Sequence, residues 1–140
     1  MLKNRPMFQS IPHMLFESVT AYAERDAFRY RYGGRTIRVS YTQFGETLQH
    51  LTHGLATLDI RPGTRIGILS ENRVEWVVAD LAAMILGCIV VPIHTNITPV
   101  QVADLIEDAG VEVLFVSNRY YFEQIMSVRE RLSTLNRILS

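Results

Sequence analysis

The stretch Gly63–Gly110 reads G-T-R-I-G-I-L-S-E-N-R-V-E-W-V-V-A-D-L-A-A-M-I-L-G-C-I-V-V-P-I-H-T-N-I-T-P-V-Q-V-A-D-L-I-E-D-A-G. Its pattern predicts strand, helix, short strand, helix, with a further strand following. Arg65–Leu69 is an apolar run behind the Pro62-Gly63 turn, which fits a buried strand. Asn72 is expected to cap the next helix, with Glu75 three residues on completing a capping box. That helix carries Trp76, Val77, Leu81, Met84 and Ile85, and Gly87 ends it. Ile89–Val91 is a second short strand, expected to be cut by Pro92. Thr98 caps the following helix, with Pro99 at its first position and Gln101 at its third. Val102, Leu105, Ile106 and Ala109 are expected to form its buried stripe, and Gly110 closes it. Strands alternating with helices imply an α/β fold: a mostly parallel sheet with crossover helices on both faces.

Working outward, Val111–Ser117 reads as a strand, Arg119–Arg131 as a helix with Phe122, Ile125, Met126 and Val128 apolar, and Leu135–Leu139 as another strand. Upstream, Ser40 opens a capping box with Gln43. Phe44, Leu48, Leu51, Leu55 and Leu58 then recur at three- and four-residue steps, a buried helical stripe. Ala27–Tyr32 and Thr36–Ser40 flank Gly33-Gly34-Arg35 and read as a β-hairpin. Ile11–Ala23 is an amphipathic helix with Ser10 as its cap. It is read as core-packing, the alternative being a membrane-surface face built by Met14, Leu15, Val19 and Tyr22. Met1–Gln9 reads as a loose arm.

The chain has 140 residues, enough for one domain with a real core. Fourteen Lys and Arg balance fourteen Asp and Glu, so the net charge is zero and nothing argues for a general polyanion binder. Arg25, Arg29, Arg31, Arg35 and Arg38 gather on the hairpin; solvent-face charge on an exposed edge is preferred over a phosphate or RNA site. The single cysteine, Cys88, lies in an apolar run, is read as a buried structural residue and suits a reducing compartment. The N-terminus lacks a signal-peptide pattern, and Leu81–Ile93, the longest apolar stretch, is too short to span a bilayer. The expectation is a cytoplasmic protein, with peripheral membrane contact open.

The run G-T-R-I-G-I-L-S-E-N-R-V-E-W, then D-L-A, then G-C-I-V-V-P-I-H-T-N-I-T-P, resembles the N-terminal part of AMP-forming acyl-CoA synthetases, within the adenylate-forming superfamily, and most nearly the long-chain fatty acid–CoA ligases. The resemblance is clearest from Tyr41 to Ser117. It implies a two-step reaction. A carboxylate attacks the α-phosphate of ATP, giving an acyl-adenylate and pyrophosphate, and the CoA thiol then displaces AMP. The first step gathers negative charge, so it requires phosphate-cradling backbone, Mg2+ and cationic side chains. In the family these come from a Ser/Thr/Gly-rich loop ending in Gly-Lys, an aromatic-rich pocket, an Asp on the ribose and a Lys on a mobile C-terminal domain.

None of those motifs stands in this sequence. Its one Lys is Lys3, and no Walker or G-x-G-x-x-G pattern is present. The expectation is therefore an N-terminal subdomain, 1–140, of a synthetase several hundred residues long. It would be inactive alone, with no catalytic residue and no metal site of its own, and ATP, Mg2+ and CoA would be bound by the parent enzyme. Its partners would be the remainder of that chain, fatty acid and CoA, with no nucleic acid. The apolar face left exposed would favour self-association. A freestanding binding module is the first alternative; an adenylation domain acting on an aryl or amino acid is the second.

One segment is expected to touch ligand. Loops at the C-terminal ends of parallel strands line clefts in α/β folds. Residues 92–99 follow such a strand and open a helix N-terminus. The resemblance sets this loop near the CoA pantetheine channel, which makes His94, Thr95 and Asn96 candidates for a CoA or acyl channel; related acetyl-CoA synthetases carry an aromatic and glycines there. The competing reading is a loop packed under another domain. Other constellations are weaker. His50 and His53 are three apart on a helix but lack companion ligands. Cys88 with His94 is a thin case for a thiol–imidazole pair. Asp80 in an apolar helix is expected to make a helix-to-loop hydrogen bond.

Overall fold

A computed structural model describes residues 9–140, so the arm expected over Met1–Gln9 lies almost wholly outside the described residues. The chain separates into two compact units, one reaching Gln49 and the other running from His50 to Ser140.

In the first unit, α1 (Ile11–Ala21) starts where the Ser10 hydroxyl accepts the His13 amide at 3.2 Å, with Pro12 in the first turn. Only Leu15 of α1 is buried; Ile11 and Phe16 stay more than half exposed. Strands β1 (Asp26–Tyr32) and β2 (Arg35–Ser40) pair antiparallel around Gly33-Gly34, both at positive φ (55° and 77°). Such a two-residue turn follows the right-handed twist of the strands. The register sets Arg29, Arg31 and Arg38 on one face and Phe28, Tyr30, Ile37 and Val39 on the other. Phe28 meets Phe44 edge-on at 4.9 Å. The arginines are exposed and Asp26 pairs with two of them, as expected of a solvent face. Helix α2 (Tyr41–Thr57) opens on the expected Ser40/Gln43 box, with both hydrogen bonds formed; its first half, with buried Phe44 and Leu48, belongs to this unit, and its second half, with buried Leu55, to the next.

The second unit is the parallel sheet. β3 (Arg65–Leu69), β4 (Ile89–Ile93), β5 (Val113–Val116) and β6 (Arg137–Leu139) lie in the order β4-β3-β5-β6, all parallel. The path from β3 to β4 runs one way and from β4 to β5 the other. Right-handed crossovers then set the connecting helices on opposite faces. α4 (Pro99–Ala109) and α5 (Arg119–Met126) share one core with Leu69, Ile93, Leu114 and Val116, through Val102, Ala103, Ile106, Tyr121 and Ile125. α3 (Val74–Ile85) contacts β3 and β4 and buries Val78, Ala79, Ala82 and Ala83. Ile106, Leu114 and Ile125 are fully buried, each contributing at most about 1.5–3 kcal/mol of transfer free energy. The fold class read from the sequence is the one observed. Gly67 sits at a close approach within the sheet: a Cβ there would come within 2.8 Å of Leu114 Cδ1 and 3.0 Å of Val111 Cγ1.

Several local expectations need correction. β4 is not cut at Pro92 but runs through it to Ile93. It is the edge of the sheet, where a missing N–H leaves no partner unsatisfied. The N-cap of α3 is Arg73, not Asn72, and no side chain caps it. Glu75 pairs instead with the Arg73 guanidinium, at 2.8 and 3.0 Å. The last long helix stops at Met126, and a separate 3-10 turn spans Arg129–Arg131. Phe122 and Met126, expected on its apolar stripe, are exposed, while Tyr121 is buried. Leu105, expected on the buried stripe of α4, is exposed and Ala103 is buried instead, and Leu58, expected on the buried stripe of α2, lies past the end of that helix and is exposed.

Candidate functional site

At the C-terminal ends of β3 and β4 a cleft of ≈ 470 Å³ opens. Ser70, Glu71, Asn72 and Trp76 form one wall, and 92–96 form the other. Two local designs build it. β3 ends at Leu69 and the chain turns through polar Ser70-Glu71-Asn72 before α3. β4 ends at Ile93, and His94–Ile97 bridge to α4, whose start is fixed by a full capping box: Thr98 Oγ1 accepts from the Gln101 amide at 3.3 Å, and Gln101 Oε1 accepts from the Thr98 amide at 2.9 Å.

The three residues singled out from the sequence therefore sit together in one cleft. His94 and Asn96 are exposed and Thr95 is half-buried. Among the described residues no hydrogen bond or ion pair engages their side chains. An imidazole, a hydroxyl and a carboxamide are thus uncommitted. Together they can donate to carbonyls and phosphate oxygens and accept from amide N–H groups.

The opposite wall is held firmly. Glu71 Oε2 accepts from the Ser117 hydroxyl at 2.6 Å, and Oε1 accepts from Asn118 Nδ2 at 3.1 Å. Arg73 Nη1 donates to the Ser117 carbonyl at 3.3 Å. The Ser117 hydroxyl, ahead of the local backbone N–H, holds the Glu71 carboxyl below the usual range. Sequence reading missed this group. The available signal was that Ser-Glu-Asn and Ser-Asn each follow an apolar strand run directly.

The other candidates are not assembled. Cys88 precedes β4 and His94 follows it, about 20 Å apart along an extended strand, so they form no thiol–imidazole pair. The Cys88 thiol is half-buried and points at the Arg61 carbonyl (3.5 Å); burial first, and Glu112 second, push its pKa up. Asp80 does not make the helix-to-loop hydrogen bond expected of it; its carboxyl is half-buried without a partner, and desolvation raises its pKa. His50 and His53 are exposed, and no group of three His, Cys, Asp or Glu among the described residues is arranged to hold a metal ion.

The profile of a family described as AMP-binding enzyme matches residues 15–139. The chain is 28% identical over 122 residues to a (7a-methyl-1,5-dioxo-octahydro-1H-inden-4-yl)propanoyl:CoA ligase of Rhodococcus jostii (strain RHA1), a match covering 86% of this chain and 22% of the relative. It is 28% identical over 131 residues to the long-chain-fatty-acid–CoA ligase ACSBG2 of Rattus norvegicus, covering 93% of this chain and 20% of that one. Among solved structures it superposes on the N-terminal domain of FACL13 from Mycobacterium tuberculosis with a TM-score of 0.83 at 24% identity, covering 94% of this chain and 33% of that one. The last likeness is one of fold. The chain spans about a fifth of the length of the curated relatives it matches.

Proposed function

This chain belongs to the family of AMP-binding enzymes, and on that basis we propose that it forms the N-terminal part of an ATP-dependent acyl-CoA ligase that activates a fatty acid through an acyl-adenylate. Within that ligase its role is to wall the substrate cleft. The observation that carries the reading is the cleft itself, lying at the strand ends where α/β folds bind ligands and presenting His94, Thr95 and Asn96 uncommitted.

The residues present fit the three groups of the reaction unequally. The amide-rich pantetheine arm of CoA matches a hydroxyl, a carboxamide and an imidazole, so CoA is the group these side chains would hold. ATP and Mg2+ find no such set: the one Lys lies at position 3, and no metal-holding group occurs among the described residues. No step through those groups is assigned to this chain, which we propose to be inactive alone. A cytoplasmic site of action belongs to the same proposal; the free thiol of Cys88 suits a reducing compartment.

The test assays the native polypeptide that carries this sequence for fatty-acid-dependent AMP release, beside the His94→Ala variant. The expected result is an unchanged rate of adenylate formation with a several-fold higher CoA requirement in the variant, since loss of a binding contact appears in KM. Equal loss in both half-reactions would remove His94–Asn96 from the CoA channel. Among acids, the ring-bearing acid named for the Rhodococcus relative favours one second reading, an alicyclic substrate. Parallel assays with fatty and alicyclic acids separate the two.

A further inference from the structure

The paths out of β3 and β5 diverge. β3 leads into α3 on one face of the sheet, while β5 leads into α5 on the other. Backbone pairing between the two strands ends near Ser117, whose amide still donates to the Leu69 carbonyl at 3.2 Å. Beyond that point no ladder joins the two loops. Something else must hold the β3–α3 loop, which is also a wall of the cleft.

Glu71 bridges that gap. It lies two residues past β3, and its carboxylate reaches two consecutive residues, Ser117 and Asn118, 46 and 47 positions away. Asn118 is in turn fixed as the N-cap of α5, its Oδ1 accepting the Tyr121 amide at 3.1 Å. Arg73 adds a second tie, to the Ser117 carbonyl, from the other end of the same loop. A short loop pinned from both ends to a capped helix has little freedom left. Hydrogen bonds to an ionised acceptor are also the stronger kind.

We propose that Glu71 is a positioning residue: by clamping the β3–α3 loop to the β5–α5 loop it fixes the wall that faces His94, Thr95 and Asn96. It touches no ligand in this role and acts through the loop it holds. The inference rests on the ligase reading only in taking this cleft as the ligand site.

Trp76, the one tryptophan in the sequence, stands on the same wall and reports on it directly. The experiment compares the 140-residue chain with its Glu71→Ala, Glu71→Gln and Ser117→Ala variants by Trp76 emission, acrylamide quenching and thermal melting. Gln keeps an oxygen acceptor for Asn118 and an amide for Ser117, so Glu71→Gln is expected to match the parent in Trp76 emission and quenching while melting lower, its acceptor being no longer ionised. Glu71→Ala is expected to shift emission to the red and raise the quenching constant about twofold, as local opening exposes the ring. A Glu71→Ala variant that melts lower but leaves Trp76 emission and quenching unchanged overturns the proposal, because the bonds would then be merely structural. So does a Glu71→Gln that behaves like Glu71→Ala. Should Glu71→Ala fail to fold, Ser117→Ala decides by the same optical criteria. A CoA titration of the native polypeptide that carries this sequence separates the two readings. If CoA does not bind there, the CoA-channel assignment falls, while the clamp still stands or falls on the emission data.

Discussion

Asp80 carries an electrostatic cost that no contact in the second unit offsets. Its carboxyl sits half-buried on α3 with no hydrogen bond or ion pair among the described residues, and desolvation lifts its pKa above the ordinary aspartate value of 3.8. Well below that value the residue is protonated in both the folded and unfolded chain and the cost vanishes. As pH rises past it, the unfolded chain ionises first, so stability is lost through the window up to the folded pKa and the full cost remains at neutral pH. Glu71, Glu75 and Glu107 have the opposite sign: hydrogen-bond partners lower their pKa values, so their contribution is present above the ordinary glutamate value of 4.5 and is lost as acid protonates them. Asp80→Asn removes only the first effect. Melting curves of both chains at several pH values are expected to show the variant more stable at pH 7, with the difference shrinking toward zero as pH falls through the acid range. A variant less stable at pH 7 would mean that the Asp80 carboxylate has a partner.

Elements were legible from the sequence where local chemistry decided them. The Thr98–Gln101 box, the Gly33-Gly34 turn and the β3 run Arg65–Leu69 stand as read, because each depends on residues within a few positions. Thr98→Ala removes the hydroxyl that accepts the Gln101 amide and should cost about 1 kcal/mol, measured by urea unfolding. It should also loosen the start of α4 and so the neighbouring His94–Asn96 loop; a loss within error of zero would show that the capping box contributes nothing here. What misled was tertiary. α3 is apolar around most of its circumference, so periodicity could not phase it. The face that packs is Val78, Ala79, Ala82 and Ala83, whose small side chains suit close approach to the sheet, and not Trp76, Leu81 and Met84. Pro92 reads as a strand breaker until the strand order shows β4 at an edge. The place of the His94–Asn96 loop at a strand end followed from strand–helix alternation, and its choice as a candidate from the family resemblance as well. The Glu71 tie did not, because its partners lie 46 and 47 residues away and no local pattern joins them.

For the molecule as a whole, the decisive fact is how much apolar surface the second unit leaves uncovered. Ile89 on the edge strand is 49% exposed, Val100 and Leu105 on α4 are 47% and 42%, and Phe122 and Met126 on α5 are 40% and 47%. Phe122 and Met126 are four residues apart on one helix, so they are neighbours on a single face. Scattered apolar residues on a surface are ordinary, but adjacent large ones mark a contact surface. In a ligase about five times the length of this chain, as the relatives are, the remainder of the protein is the proposed cover. The isolated 140-residue chain has no such cover, and its zero net charge supplies no long-range repulsion between copies. It is therefore expected to self-associate, with a mass by light scattering that rises with concentration. Replacing Phe122 and Met126 together by Glu should return it to a monomer while leaving the fold intact, because neither side chain belongs to the buried core that Tyr121 and Ile125 form with α4. A parent chain that stays monomeric at high concentration would show that this face needs no partner, and would favour the freestanding module over the piece of a larger ligase.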